Sequence, residues 1–151
     1  MAVLHNMESF IKLVSNWEKK FGRRLPVKGE LMCIMNFQNI KSVQFKENIC
    51  SYYSIFAGVQ FLEYDDSVFS FWDYKLALDR AKEDLCISNK LWPFADWAYD
   101  ANIYACCYES TENTQSGLVY VIIGGEIFEI AKSMDNFFKL LLTDPEEVGV
   151  F

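Results

Sequence analysis

LWPFADWAYDANIYACCY, residues 91–108, is the stretch that decides how this chain folds. Two runs rich in aromatic and apolar residues, Leu91–Phe94 and Ile103–Tyr108, flank the polar, aromatic corner Asp96–Asp100, which carries two aspartates. That pattern predicts strand, tight polar corner, strand. It also holds two of the four tryptophans and one of the three prolines. The corner is therefore placed in the middle of one mixed or antiparallel sheet, with helices packed against it.

Downstream, Glu109–Gly117 (ESTENTQSG) is polar and rich in turn formers, and reads as a loop. Leu118–Ile123 and Glu126–Ile130 flank Gly124-Gly125, a two-residue hairpin turn in which glycine takes positive φ without steric cost. Ser133 is placed as the N-cap of a closing helix, with Asp135 in its first turn and Phe137, Phe138, Leu141 and Leu142 as its apolar stripe. Pro145 and the acidic tail end the domain.

Upstream, Ser67–Leu85 is read as a helix that Asp65-Asp66-Ser67 would cap, with Val68, Phe71, Trp72, Leu76 and Leu78 facing inward. An edge strand over Val68–Trp72 is the competing reading. Val43–Tyr64 switches to Tyr, Phe, Ile and Val. Val43 and Phe45 alternate with polar neighbours, which predicts a short strand, and Tyr53–Glu63 predicts a more central one. Met7, Phe10, Ile11, Val14, Trp17 and Phe21 follow the rhythm of an amphipathic helix, with Asn6 and Gly22 as its caps. A second, short helix is predicted from Pro26, with Leu31, Ile34 and Met35 on one face.

The chain has 151 residues, 52% hydrophobic and 17% aromatic. That is enough for one domain with a true core, and far from the composition of a disordered chain. Its longest apolar runs are too short for a bilayer about 30 Å thick, and no basic-then-apolar leader opens it, so a cytoplasmic protein is expected. Five cysteines, odd in number and without a CxxC, predict free thiols. Charge is unevenly spread. Residues 1–48 carry eight Lys/Arg against four Asp/Glu, and residues 49–151 carry six against seventeen. So acidic a body disfavours nucleic acid and anionic membranes and favours basic proteins.

No common catalytic set is supplied. The single histidine is His5, close to the N-terminus, and neither GxGxxG nor GxxxxGK[ST] occurs. The carboxylate pairs Asp65/Asp66, Glu83/Asp84 and Asp96/Asp100 fit turn and helix-surface roles better than acid–base work. The chain is read as a non-enzyme without metal or cofactor. Acidic residues instead recur beside aromatics, the composition of an interface with anchors and a charged rim. Glu63, Asp65, Asp66, Asp73, Asp96, Trp97, Tyr99 and Asp100 are the candidate partner-binding residues, while Trp72 and Trp92 are assigned to the core.

The order of features resembles the SUKH superfamily of bacterial toxin-immunity proteins and yeast cell-wall assembly regulators. The resemblance rests on a first helix leading into Phe21-Gly22-Arg23-Arg24-Leu25-Pro26, then Trp92-Pro93-Phe94-Ala95-Asp96, Asn102-Ile103-Tyr104-Ala105, Val119-Tyr120, and a last helix opened by Ser133 and carrying Asp135, Asn136, Phe137 and Phe138. It spans about Met7 to Leu142. It implies an α+β fold and a protein, monomer or homodimer, that binds and neutralises a cognate basic toxin, a nuclease or nucleic acid deaminase. The yeast relatives imply an alternative, a regulatory scaffold for an endogenous protein. Two departures stand out. Asn36-Phe37 replaces the family's Asn-Gly, and Ala98, Tyr99 and Ala101 stand where glycines are common.

Overall fold

The computed structural model describes residues 8–21, 40, 43–56 and 69–149. Helices α1 (Glu8–Phe21) and α2 (Val43–Phe56) come first, then strand β1 (Phe69–Phe71) and helices α3 (Tyr74–Ala81) and α4 (Asp84–Asn89). Strands β2 (Leu91–Trp97), β3 (Asn102–Cys107), β4 (Val119–Ile123) and β5 (Glu126–Ala131) follow, and α5 (Met134–Thr143) and a 3-10 turn at Pro145–Val148 close the fold. The five strands lie in sequence order, and all four pairings are antiparallel. β3 is central, so the 91–108 stretch forms the heart of the sheet as its pattern predicts. Among the described residues no helix is long and apolar enough to cross a membrane.

One face of the sheet carries Trp92, Tyr104, Cys106, Val119 and Val121 into a large aromatic core with α1, α2 and α5. Phe10 meets Phe138 at 4.4 Å between ring centroids, and Phe137 meets Tyr104 at 4.9 Å. The other face, Leu91, Ala105, Cys107, Tyr120 and Ile122, packs on Cys86 and Leu85 of α4. Cys106 and Cys107 thus point to opposite faces, as adjacent strand residues must. The four described cysteines, Cys50, Cys86, Cys106 and Cys107, are free thiols, and Cys33 lies outside the described residues.

A bulge interrupts β2 between Pro93 and Ala95. Its Phe94 carbonyl accepts from the Trp72 N–H and from the Tyr52 hydroxyl, each at 2.9 Å, so α2 and the end of β1 both lock the kink. Helix α5 starts where predicted, with Ser133 Oγ accepting from the Asn136 N–H at 3.0 Å. Asp135 accepts from the Ser9 N–H at 2.9 Å and ties α5 to the start of α1.

Three expectations are corrected. The strand predicted at Val43–Lys46 is helical, and so is the opening of the one predicted from Tyr53: α2 runs through Phe56 and buries Phe45, Ile49, Tyr52 and Tyr53. Their i, i+4, i+7, i+8 spacing is one helix face. The single helix predicted over Ser67–Leu85 is strand β1 followed by two short helices, because Asp73 caps α3 by accepting from the Leu76 N–H at 2.9 Å. The competing edge-strand reading is the correct one there. In α1 Phe10 and Val14 are buried as predicted, but Leu13 joins them in place of Ile11, which is exposed. The helix predicted from Pro26, the rest of the Tyr53–Glu63 strand and the caps at Asn6 and Gly22 lie outside the described residues.

Candidate functional site: the corner between β2 and β3

The register closes at Trp97↔Asn102, leaving Ala98–Ala101 as a four-residue turn. Ala98, Tyr99 and Asp100 adopt φ of 56°, 52° and 71° in succession. Side chains other than glycine avoid this region because Cβ crowds the backbone carbonyl, at a cost of roughly 1–2 kcal/mol per residue. The corner thus holds side chains where a purely structural turn is better served by none.

A ring of interactions braces this backbone. Asp96, 6% exposed, accepts from the Trp72 indole N–H at 2.7 Å through Oδ1 and from the Asp100 N–H at 2.8 Å through Oδ2. The Asp100 carboxylate accepts from Arg80 at 3.2 Å, and the same guanidinium pairs with Glu83 at 2.7 Å. Arg80 in turn lies over the Trp72 ring, 5.0 Å from its centroid, which closes the circuit. Burial pushes the Asp96 carboxyl above the usual range. The hydrogen bonds from Trp72 and Asp100 oppose that shift, and the neighbouring Asp100 charge adds to it.

At the tip, Tyr99 is 77% exposed, the most exposed large apolar side chain among the described residues. Trp97 is half-buried at the base. The candidate residues therefore separate. Tyr99 and Asp100 face solvent, whereas Asp96 is buried and acts within the fold, and Asp73 is the N-cap of α3. Glu63, Asp65 and Asp66 lie outside the described residues. Arg80 is the member that the sequence reading missed. Its local signals are a helix-end position and Glu83 three residues on, and what gives it a role are its contacts with Trp72 and Asp100, eight and 20 residues away. Among the described residues no three His, Cys, Asp or Glu side chains cluster as a metal site.

The arrangement defines an α+β protein with a braced, outward-pointing aromatic corner on an acidic body. No protein-family model, curated protein or solved structure matches the chain.

Proposed function

We propose that this is an immunity protein, which binds and neutralises a cognate toxin domain, a nuclease or nucleic acid deaminase, through the β2–β3 corner. The observation that carries the reading is Tyr99 itself: a large side chain presented to solvent on three consecutive left-handed residues, held rigid by the Asp96 network. Rigid aromatic anchors bind at low entropic cost because little freedom remains to be lost. The excess of seventeen acids over six bases in residues 49–151 supplies the field for a basic partner. Enzymes that hold nucleic acid are basic where they hold it, and an acidic partner blocks that surface with a fast on-rate.

The test is co-expression with the toxin domain encoded next to this gene. Wild type rescues growth and co-purifies with the toxin, whereas Tyr99→Ala with Asp100→Ala loses rescue while still giving a cooperative melt of a folded protein. An adjacent gene without a basic toxin domain, or rescue that survives the double substitution, overturns the reading and leaves an endogenous cellular protein as the partner to seek.

A further inference from the structure

β5 lies at one edge of the sheet, two strands from β3. β5 is the last strand in the sheet, and among the described residues no segment pairs with its outer side. The two-residue turn at Gly124-Gly125 makes Ile123 and Glu126 a hydrogen-bonded pair, and the bonded pairs then alternate. Val121–Phe128 is the next bonded pair, so the N–H and C=O groups of Ile127 and Glu129 point away from β4. Proteins normally blunt such an edge with charged side chains, a bulge, a proline or a cover. β5 carries the charges Glu126 and Glu129 and a bulge at Ile130, the extra residue between Glu129 and Ala131 against Val119 and Tyr120, and neither occupies the outward N–H and C=O groups of Ile127.

The two sides of this edge differ in chemistry. On the side of α1, α2 and α5 Phe128 is 48% exposed, next to exposed Glu126, which stands between the edge and Ile123 of β4. On the opposite side Glu129 stands across from Tyr120 and, with Glu112 of the 109–117 loop, borders an open polar hollow of about 400 Å³. Glu129 already accepts from the Lys132 ammonium at 2.6 Å. That exposed pair contributes little and is readily exchanged for another cation.

We infer that β5 takes up an extended segment of a partner protein as a sixth strand, one in which lysine or arginine alternates with apolar residues. Successive side chains of an added strand fall on opposite faces. Its basic residues then reach Glu129 and Glu112, its apolar residues cover Phe128, and its backbone bonds Ile127 and Glu129. A second copy of this chain is a poor occupant. Each copy carries a net charge of −7, and pairing two β5 edges crowds Glu126 and Glu129 of both.

The probe is a capped synthetic peptide, Lys-Val repeated four times, with Glu-Val repeated four times as its control, read by calorimetry and amide hydrogen exchange. The basic peptide binds at least tenfold tighter than the acidic one and slows exchange at Ile127 and Glu129. Glu112→Lys with Glu129→Lys, both at exposed or rim positions, weakens it at least tenfold without lowering the melting temperature. Ile127→Pro, which deletes an outward N–H at a position where an edge strand tolerates proline, abolishes the protection. Equal binding of the two peptides, protection elsewhere than β5, indifference to the charge reversal, or self-association of the chain through β5 would each overturn the inference.

Discussion

The Trp72 indole N–H donates to Asp96 Oδ1 at 2.7 Å while the other oxygen of the same carboxylate receives the Asp100 N–H. One side chain therefore joins the end of β1, the body of β2 and the corner itself. A buried acceptor holding two donors is hard to replace, because any substitute leaves at least one donor unmet. This links the fold to the proposed function: the anchor at Tyr99 is only as rigid as the carboxylate beneath it.

Asp96→Asn supplies one acceptor and sets an amide N–H₂ against the second donor. We expect a loss of about 1–3 kcal/mol in urea unfolding at neutral pH. The pH dependence has a definite sign. The folded-state pKa of Asp96 lies above its unfolded value, so the folded state binds the proton first, and this group stabilises the fold as pH falls through that window. The contribution is complete below the ordinary carboxylate range and is lost as pH rises through the folded value. The stability gap between wild type and Asp96→Asn accordingly widens on acidification across that interval. A gap independent of pH would remove Asp96 from the titration.

Tyr99→Gly should separate stability from binding. The side chain is 77% exposed and φ is 52°, so glycine removes steric strain and surrenders little packing. The unfolded chain gains freedom in return, which leaves a net stabilisation of roughly 0.5–1 kcal/mol. Thermal melts show the midpoint rising while toxin protection falls. A variant that melts lower would mean that Tyr99 packs on the corner rather than projecting from it.

Tyr52→Phe probes the bulge in β2. Its hydroxyl donates to the Phe94 carbonyl at 2.9 Å, but that carbonyl also accepts from the Trp72 N–H. The Phe94 carbonyl keeps one partner after the substitution, while the Trp72 carbonyl loses only a long contact with the same hydroxyl, at 3.4 Å, so the expected loss is about 1 kcal/mol. Burial holds the Tyr52 phenol well above its ordinary pKa, so the wild-type hydroxyl stays protonated and able to donate throughout the working range. Chemical denaturation of the two proteins side by side measures the difference.

How far the sequence could be read follows from which forces are local. The strands from Leu91 to Ala131 and the helix after Ser133 were legible because alternation, a Gly-Gly turn and a cap side chain act within a few residues. α2 was not: Tyr, Phe, Ile and Val favour strands by composition, and only the spacing of Phe45, Ile49, Tyr52 and Tyr53 betrays a helix face that packing then enforces. At Phe69–Phe71 all three side chains are buried, so no alternation was present to read. Within the site, Tyr99 and Asp100 were legible as a polar aromatic turn. The inward turn of Asp96 and the part played by Arg80 depend on Trp72, more than 20 residues from Asp96 and eight from Arg80, and no local pattern encodes that meeting.

Gly149 tests how the chain's last described turn supports the corner. A Cβ there falls 2.5 Å from Asn102 Nδ2, and φ is +87°, where alanine is strained in any surroundings. Asn102 is the corner's closing residue, paired with Trp97, and its Nδ2 donates to the Tyr104 hydroxyl, which donates on to the Val148 carbonyl. Gly149→Ala therefore presses on a buried hydrogen-bond chain as well as on its own backbone, and a loss of about 1–3 kcal/mol is expected. The two contributions separate in a double-mutant cycle with Asn102→Ser, which shortens the obstructing side chain. If the contact matters, alanine at 149 is less damaging in the Asn102→Ser background by at least about 0.5 kcal/mol, the backbone strain alone remaining. Strict additivity of the two substitutions would place the whole effect in the backbone at Gly149 and detach the C-terminal turn from the corner.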